Sequence, residues 1–188
     1  MTIAMKAAPK LEQESIVAEA LGLLDEAGLD GLNLRALADR LSVKAPALYW
    51  HVSGKAELQS LMAAFFYRTA VGAVTEAGDW RRWLIAFGRA FRGALLSHRD
   101  SARLCAIARP VPPEQDRLPG EALAAPLVAM GIAQDLALSF QASVIALTLG
   151  WVVYEQSDAM HDHLTGMIDF DVSFDRGLIA MVGGFDAG

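Results

Sequence analysis

The chain has 188 residues, of which 54% are hydrophobic and 20% charged, so it can bury a substantial core and does not have the composition of a disordered chain. Its formal net charge of −6 excludes a surface coated for non-specific nucleic-acid binding but leaves room for a local basic patch. A single cysteine, Cys105, excludes an internal disulfide, and no signal peptide is read at the N-terminus, so a soluble cytoplasmic protein is expected.

Alanine and leucine dominate and β-branched runs are few, which predicts an all-α fold. In "LEQESIVAEALGLLDEAGLDGL" the apolar residues Ile16, Ala20, Leu23, Leu24 and Ala27 recur at helical spacing, and Gly28 supplies a stop. Asn33 caps a short second helix whose Leu34, Leu37, Ala38 and Leu41 form one stripe. Pro46 sits in the first turn of a third helix, where its missing N–H costs nothing. Two short helices a few residues apart make a helix-turn-helix.

Ser53 is placed to cap a fourth helix over 55–77, and Asp79 a fifth that carries Trp83, Phe87, Ala90, Phe91 and Ala94 on one side. A short sixth helix is expected over 100–107, then a proline-rich loop, "ARPVPPEQDRLPG", and a helix over 121–130. The stretch 136–156 is almost wholly apolar, but Ser139, Gln141, Ser143 and Thr148 interrupt it, so it reads as a buried helix rather than a membrane span. Beyond Ser157 about a dozen polar residues read as a loop, followed by a last helix over 172–182. A helix apolar on most faces must be covered all round. The glycine-rich final helix suits a symmetric four-helix interface between two copies.

"ALYWHV", residues 47–52, puts three large rings side by side, so they cannot share one helix face and at least one must point outward. The spacing of "LNLRALADRLSVKAPALYWHVSGKAEL" after a first helix ending "EAGLDG" resembles the TetR-type bacterial transcriptional regulators. "FRGALLSHRDSARL", the "ARP" start of the loop, "TLGWVVYEQ" and "FDRGLIAMVGG" resemble the tetracycline-repressor branch in particular.

The resemblance implies a homodimer with a DNA-reading head, 1–54, and a ligand-binding and dimerisation body, 55–188. The third helix would enter the major groove with Lys44, Ala45, Pro46 and Ala47 at base edges. Tyr49, His51 and Lys55 would reach phosphates, Trp50 would pack on sugar and backbone, and Arg35 would pair with a guanine edge. The repressors carry glutamine and threonine where this chain has Ala45 and Ala47, which implies a different operator.

On the ligand side, the tetracycline repressors hold a magnesium–drug chelate with histidine, asparagine and glutamate. The corresponding places here carry Val71, Phe87, Cys105, Ala146 and Tyr154, and only Arg109, Pro110 and the ring of Phe91 persist. None of these places keeps a histidine, asparagine or glutamate for a hard cation, so no metal and no cofactor is expected. With Trp83, Met130, Leu147 and Trp151 these residues would line a largely apolar cavity for an aromatic or hydrophobic inducer.

Three other constellations are weighed. Ser97, His98 and Asp100 hold the atoms of a hydrolase triad but are too close in sequence to converge, so no enzyme is expected. His161 and His163 flank Asp162 at a spacing that matches no recognised metal pattern. Cys105 leaves open a thiol- or metal-responsive regulator of the same fold. A ligand-binding dimer without DNA reading is opposed by Arg35, Arg40, Lys44 and Lys55.

Overall fold

The computed structural model describes residues 12–75, 77–110 and 121–186. Among them the chain is helical throughout: α1 (Gln13–Gly31), α2 (Leu34–Arg40), α3 (Ala45–Tyr49), α4 (Lys55–Gly72), α5 (Trp80–Leu96), α6 (Ser101–Ile107), α7 (Glu121–Ala129), α8 (Gln134–Gln156), α9 (Asp158–Leu164) and α10 (Phe170–Gly183). From 111 onward the expected proline-rich loop lies outside the described residues.

Four of the helices begin on side chains that satisfy their free N–H groups, three of them on an asparagine or aspartate. Asn33 Oδ1 accepts from Ala36 N, Asp79 Oδ1 from Arg81 N and Arg82 N, and Asp169 Oδ1 from Val172 N. The start of α4 works differently from the expectation. Gly54 is its cap, and Ser53 donates both its N–H and its hydroxyl to Glu57, which holds the Glu57 carboxyl below its ordinary range.

One continuous apolar core links α1 to α10. Helices α1 to α3 pack on one another, and α4 joins α1 to α5 and α6. Helix α8 lies at the centre of the rest, against α5, α6, α7, α9 and α10. Arg92 of α5 fastens this arrangement, reaching Glu155 of α8 through Nη2 at 2.6 Å and Asp171 of α10 through Nη1 at 2.7 Å.

Two corrections concern segment ends. The polar stretch after Ser157, expected as a loop, contains α9, capped by Ser157, whose hydroxyl accepts from Met160 N. None of its residues is buried, so it has no apolar stripe to read. At Gly28 the first helix kinks but does not end: φ is +70°, a left-handed value that glycine adopts without strain, and helix resumes to Gly31.

The amide freed by that kink is caught from far along the chain, with Leu29 N donating to Asp100 Oδ2 at 3.0 Å. Next to it, Asp25 accepts from Arg99 N and pairs with His98 Nδ1 at 2.8 Å. The turn between α5 and α6 is thus riveted to the end of α1.

Candidate nucleic-acid interface and ligand site

Helix α2 buries only Leu37 and Ala38 and leaves Arg35 and Asp39 exposed, one turn apart. The chain then turns through Ser42, at φ +56°, with Val43 N bonded to Ala38 O. Lys44 caps α3 and Pro46 occupies its first turn. Leu48, followed by Val52 just past the helix, is the buried anchor, with half-buried Ala45 packed against the same core and Pro46, Ala47 and Tyr49 exposed.

Outward the surface is aromatic and basic. Tyr49 is 54% exposed and Trp50 89%, and Pro46, Ala47 and His51 are exposed as well. Arg35, Asp39, Lys44, half-buried Ala45 and Tyr49 line one groove of about 430 Å³ between α2 and α3. The aromatic triplet therefore does not pack these helices onto the remainder of its own chain.

Two expected cations behave otherwise. Lys55 points back to α1, its Nζ 3.4 Å from the Leu29 carbonyl. Arg40 is held by acids of α1, with Nε 2.6 Å from Glu19 Oε2 and Nη1 2.7 Å from Glu26 Oε1, and those hydrogen bonds push its pKa up. A Cβ at Gly22 would lie 2.7 Å from Arg40 Nη2, so the glycine is what lets the guanidinium lie on α1. Arg40 clamps α2 to α1 and adds nothing to the outer basic face.

On the ligand side the expected residues separate. Phe87 and Phe91 are fully buried and belong to a stacked ladder: Tyr67 on Phe91 at 4.8 Å, Phe91 on Phe87 at 5.7 Å, Phe87 on Trp83 at 5.3 Å. Cys105 is buried and its environment pushes the thiol pKa from an ordinary 9.0 up to about 12, while burial, with Cys105 close by, raises that of Tyr67. Val71, Leu147 and Trp151 are half-buried.

Arg109, Met130 and Tyr154 are exposed, as is Ala146. Among the described residues these positions therefore range from fully buried Phe87 and Phe91 to exposed Arg109, Met130 and Tyr154. A groove of about 650 Å³ opens elsewhere, between α1 and α4, over Val17, Leu21, Leu61 and Phe65, with Arg68 and His98 beside them.

Sequence reasoning passed over Gln141, whose buried side-chain amide has no hydrogen-bond partner, and the Trp151 indole N–H, also buried without one. The available signal was a polar residue on the buried stripe of α8. For the metal alternative, no three His, Cys, Asp or Glu side chains converge among the described residues.

Comparison with known proteins matches these two regions separately. Residues 16–60 match the N-terminal family of bacterial regulatory proteins of the tetR type, and 73–179 match the tetracyclin repressor-like C-terminal domain. The class A tetracycline repressor from transposon 1721 of Escherichia coli is 39% identical over 150 residues, which span 79% of this chain and 68% of that protein.

Among solved structures, a TetR variant from Acinetobacter baumannii AYE in complex with minocycline superposes with a TM-score of 0.75 at 34% identity, covering 94% of this chain and 97% of that one. Class A TetR in complex with 5a,6-anhydrotetracycline and magnesium gives a TM-score of 0.70 at 33% identity, covering 93% and 97%. These homologues are transcriptional regulators, not enzymes, and regulators of this kind bind operator DNA and small molecules, typically as dimers. With a helix-turn-helix exposed at one end and a helical body behind it, the chain belongs to the tetR family and is a ligand-responsive DNA-binding transcriptional regulator.

Proposed function

We propose that this regulator is a repressor that binds a palindromic operator as a homodimer, and that an uncharged aromatic or apolar molecule releases it. The head would span 1–54 and the body 55–188. The observation that carries the DNA-reading part is the exposed aromatic-basic face of α2 and α3, with Arg35, Lys44, Tyr49, Trp50 and His51 all exposed on it.

On this reading Arg35 and Lys44 address base edges, and Ala45, Pro46 and Ala47 offer apolar contact to thymine methyls. Tyr49, Trp50 and His51 grip the backbone. Lys55 acts from the edge, because its ammonium already leans on the Leu29 carbonyl. Two such heads fit successive major grooves about 34–36 Å apart.

Support for the dimer comes from α8 and α10. Val153, Tyr154, Val172 and Ile179 are exposed, and Gly150, Gly177 and Gly183 have open space where a Cβ would stand. Nothing inside one protomer needs those glycines, whereas a second copy packed closely against them does.

The body does not suit a magnesium–tetracycline chelate. Val71, Phe87 and Ala146 supply no donor, and the protonated, buried thiol of Cys105 is a poor ligand for a hard cation. Titrating tetracycline with magnesium against tryptophan fluorescence is expected to give no saturable quenching, and tight quenching would refute this. The same burial disfavours a thiol sensor, since the thiolate is the reactive form.

Selection of bound sequences from a random duplex pool, at a stated salt concentration, tests the main reading. Enrichment of a palindrome is expected. A folded, dimeric protein that enriches nothing would sink it.

A further inference from the structure

Among the described residues the buried polar side chains are Ser101, Gln141 and Thr148. Two are satisfied close at hand: Ser101 Oγ donates to the Leu95 carbonyl, and Thr148 Oγ1 to the Val144 carbonyl. Gln141 is 2% exposed, and neither its Nε2 nor its Oε1 has a partner. Native interiors pair nearly all such groups, because an amide that leaves water unpaired destabilises the fold.

The surroundings of Gln141 follow from the register of α8 on α5. Phe140 stacks on Trp80 at 5.4 Å, and Val144 Cγ1 lies 3.0 Å from where a Gly88 Cβ would stand. Between those two contacts α5 contributes Trp83, Leu84 and Phe87, all buried. The buried amide thus belongs to the stretch of α8 that forms a seam with α5. It is closed off within one protomer, so the partner in a dimer does not supply its missing hydrogen bonds.

We propose that Gln141 is the polar anchor of the effector site, and that the effector is a neutral planar aromatic carrying a lactam or cyclic imide. This rests on the ligand-responsive reading above. A carboxamide presents a donor beside an acceptor, and a cis-amide edge presents the complementary pair, so two hydrogen bonds form at once. The other buried residues of α8 are Ala137, Phe140, Val144, Thr148 and Val152, none of them cationic, so a carboxylate would enter without a counter-charge. Because the amide is closed off in the free chain, the effector has affinity only for an opened seam. That differential affinity is what a two-state switch requires.

The test uses the full chain, its Gln141→Leu variant and, should that variant fail to fold, Gln141→Met. Carbostyril, a bicyclic aromatic lactam, and phthalimide serve as probes, with naphthalene as the matched hydrocarbon, read by tryptophan fluorescence and by release of selected DNA. Removing the orphan amide is expected to raise the melting temperature of the free protein by roughly 2–4 °C. It is expected to weaken lactam or imide binding about tenfold or more and to leave naphthalene binding undiminished. A variant that melts below the wild type, or lactam and imide probes that bind the wild type no tighter than the variant, would overturn the assignment. Absence of DNA binding by the folded wild type would strike the regulator reading itself, and it shows before any probe is added.

Discussion

At the scale of single residues, exposure separates side chains that hold the fold from those that face a partner. Trp50 contacts so little of its own chain that Trp50→Ala should change stability by no more than about 0.5 kcal/mol. Affinity for the selected operator is expected to fall about tenfold or more, so melting curves beside DNA titrations check both halves. A DNA titration that does not move would remove Trp50 from the interface. Cys105 shows the opposite extreme. Its folded pKa of about 12 lies above the ordinary 9.0, so above pH 9 the unfolded chain loses a proton that the native chain keeps. Stability is therefore expected to fall as pH rises from 9 toward 12, by up to about 1.4 kcal/mol per pH unit from this group, with Tyr67 acting in the same direction. Denaturation midpoints across that range, compared with those of Cys105→Ala, which should flatten the slope, check the assignment. The outward face of "ALYWHV" was legible in the sequence because three adjacent rings cannot share one helix side. Gln141 was visible only as a polar letter in an apolar run, since the loss of its partners depends on how α8 seats on α5.

At the scale of elements, caps and stripes carried most of the sequence reading. Asn33 and Asp79 were legible because a short polar side chain before an apolar repeat has one obvious use, and both accept from the first turn of their helix. Helix α9 was illegible because it buries nothing, so no periodicity marks it. Gly28 read as a stop since glycine in a left-handed conformation commonly ends helices. Whether helix resumes afterwards depends on Asp100, 71 positions from the amide it accepts. Gly28→Ala forces a side chain into the left-handed region and places its Cβ 2.9 Å from Asp100 Oδ2. A loss of about 1–2 kcal/mol or more is expected in chemical denaturation. A neutral result would mean that the kink relaxes at no cost.

At the scale of the molecule, a few long-range polar links set how the helices sit together. Arg92 and Glu155 have side chains only 12% and 9% exposed, with Asp171 on the rim at 84%. Arg92→Leu strands a largely buried carboxylate and is expected to cost about 3 kcal/mol, whereas Arg92→Leu with Glu155→Leu should recover much of that loss. Urea denaturation of the single and double variants separates the two. A double variant as unstable as the single would show that the pair matters for more than its charges.

The sequence by itself determined the all-helical class, the helix-turn-helix and the outward aromatic-basic face. Each rests on local spacing: apolar periodicity, capping residues, and rings too close together to share a side. Only the tertiary structure decided that Arg40 clamps α1, that the α5 rings stack in one ladder with Tyr67, and that the Gln141 amide is left without a partner. Those outcomes depend on groups far apart in the chain, and a local pattern carries no information about which distant atom arrives to pair with a buried one.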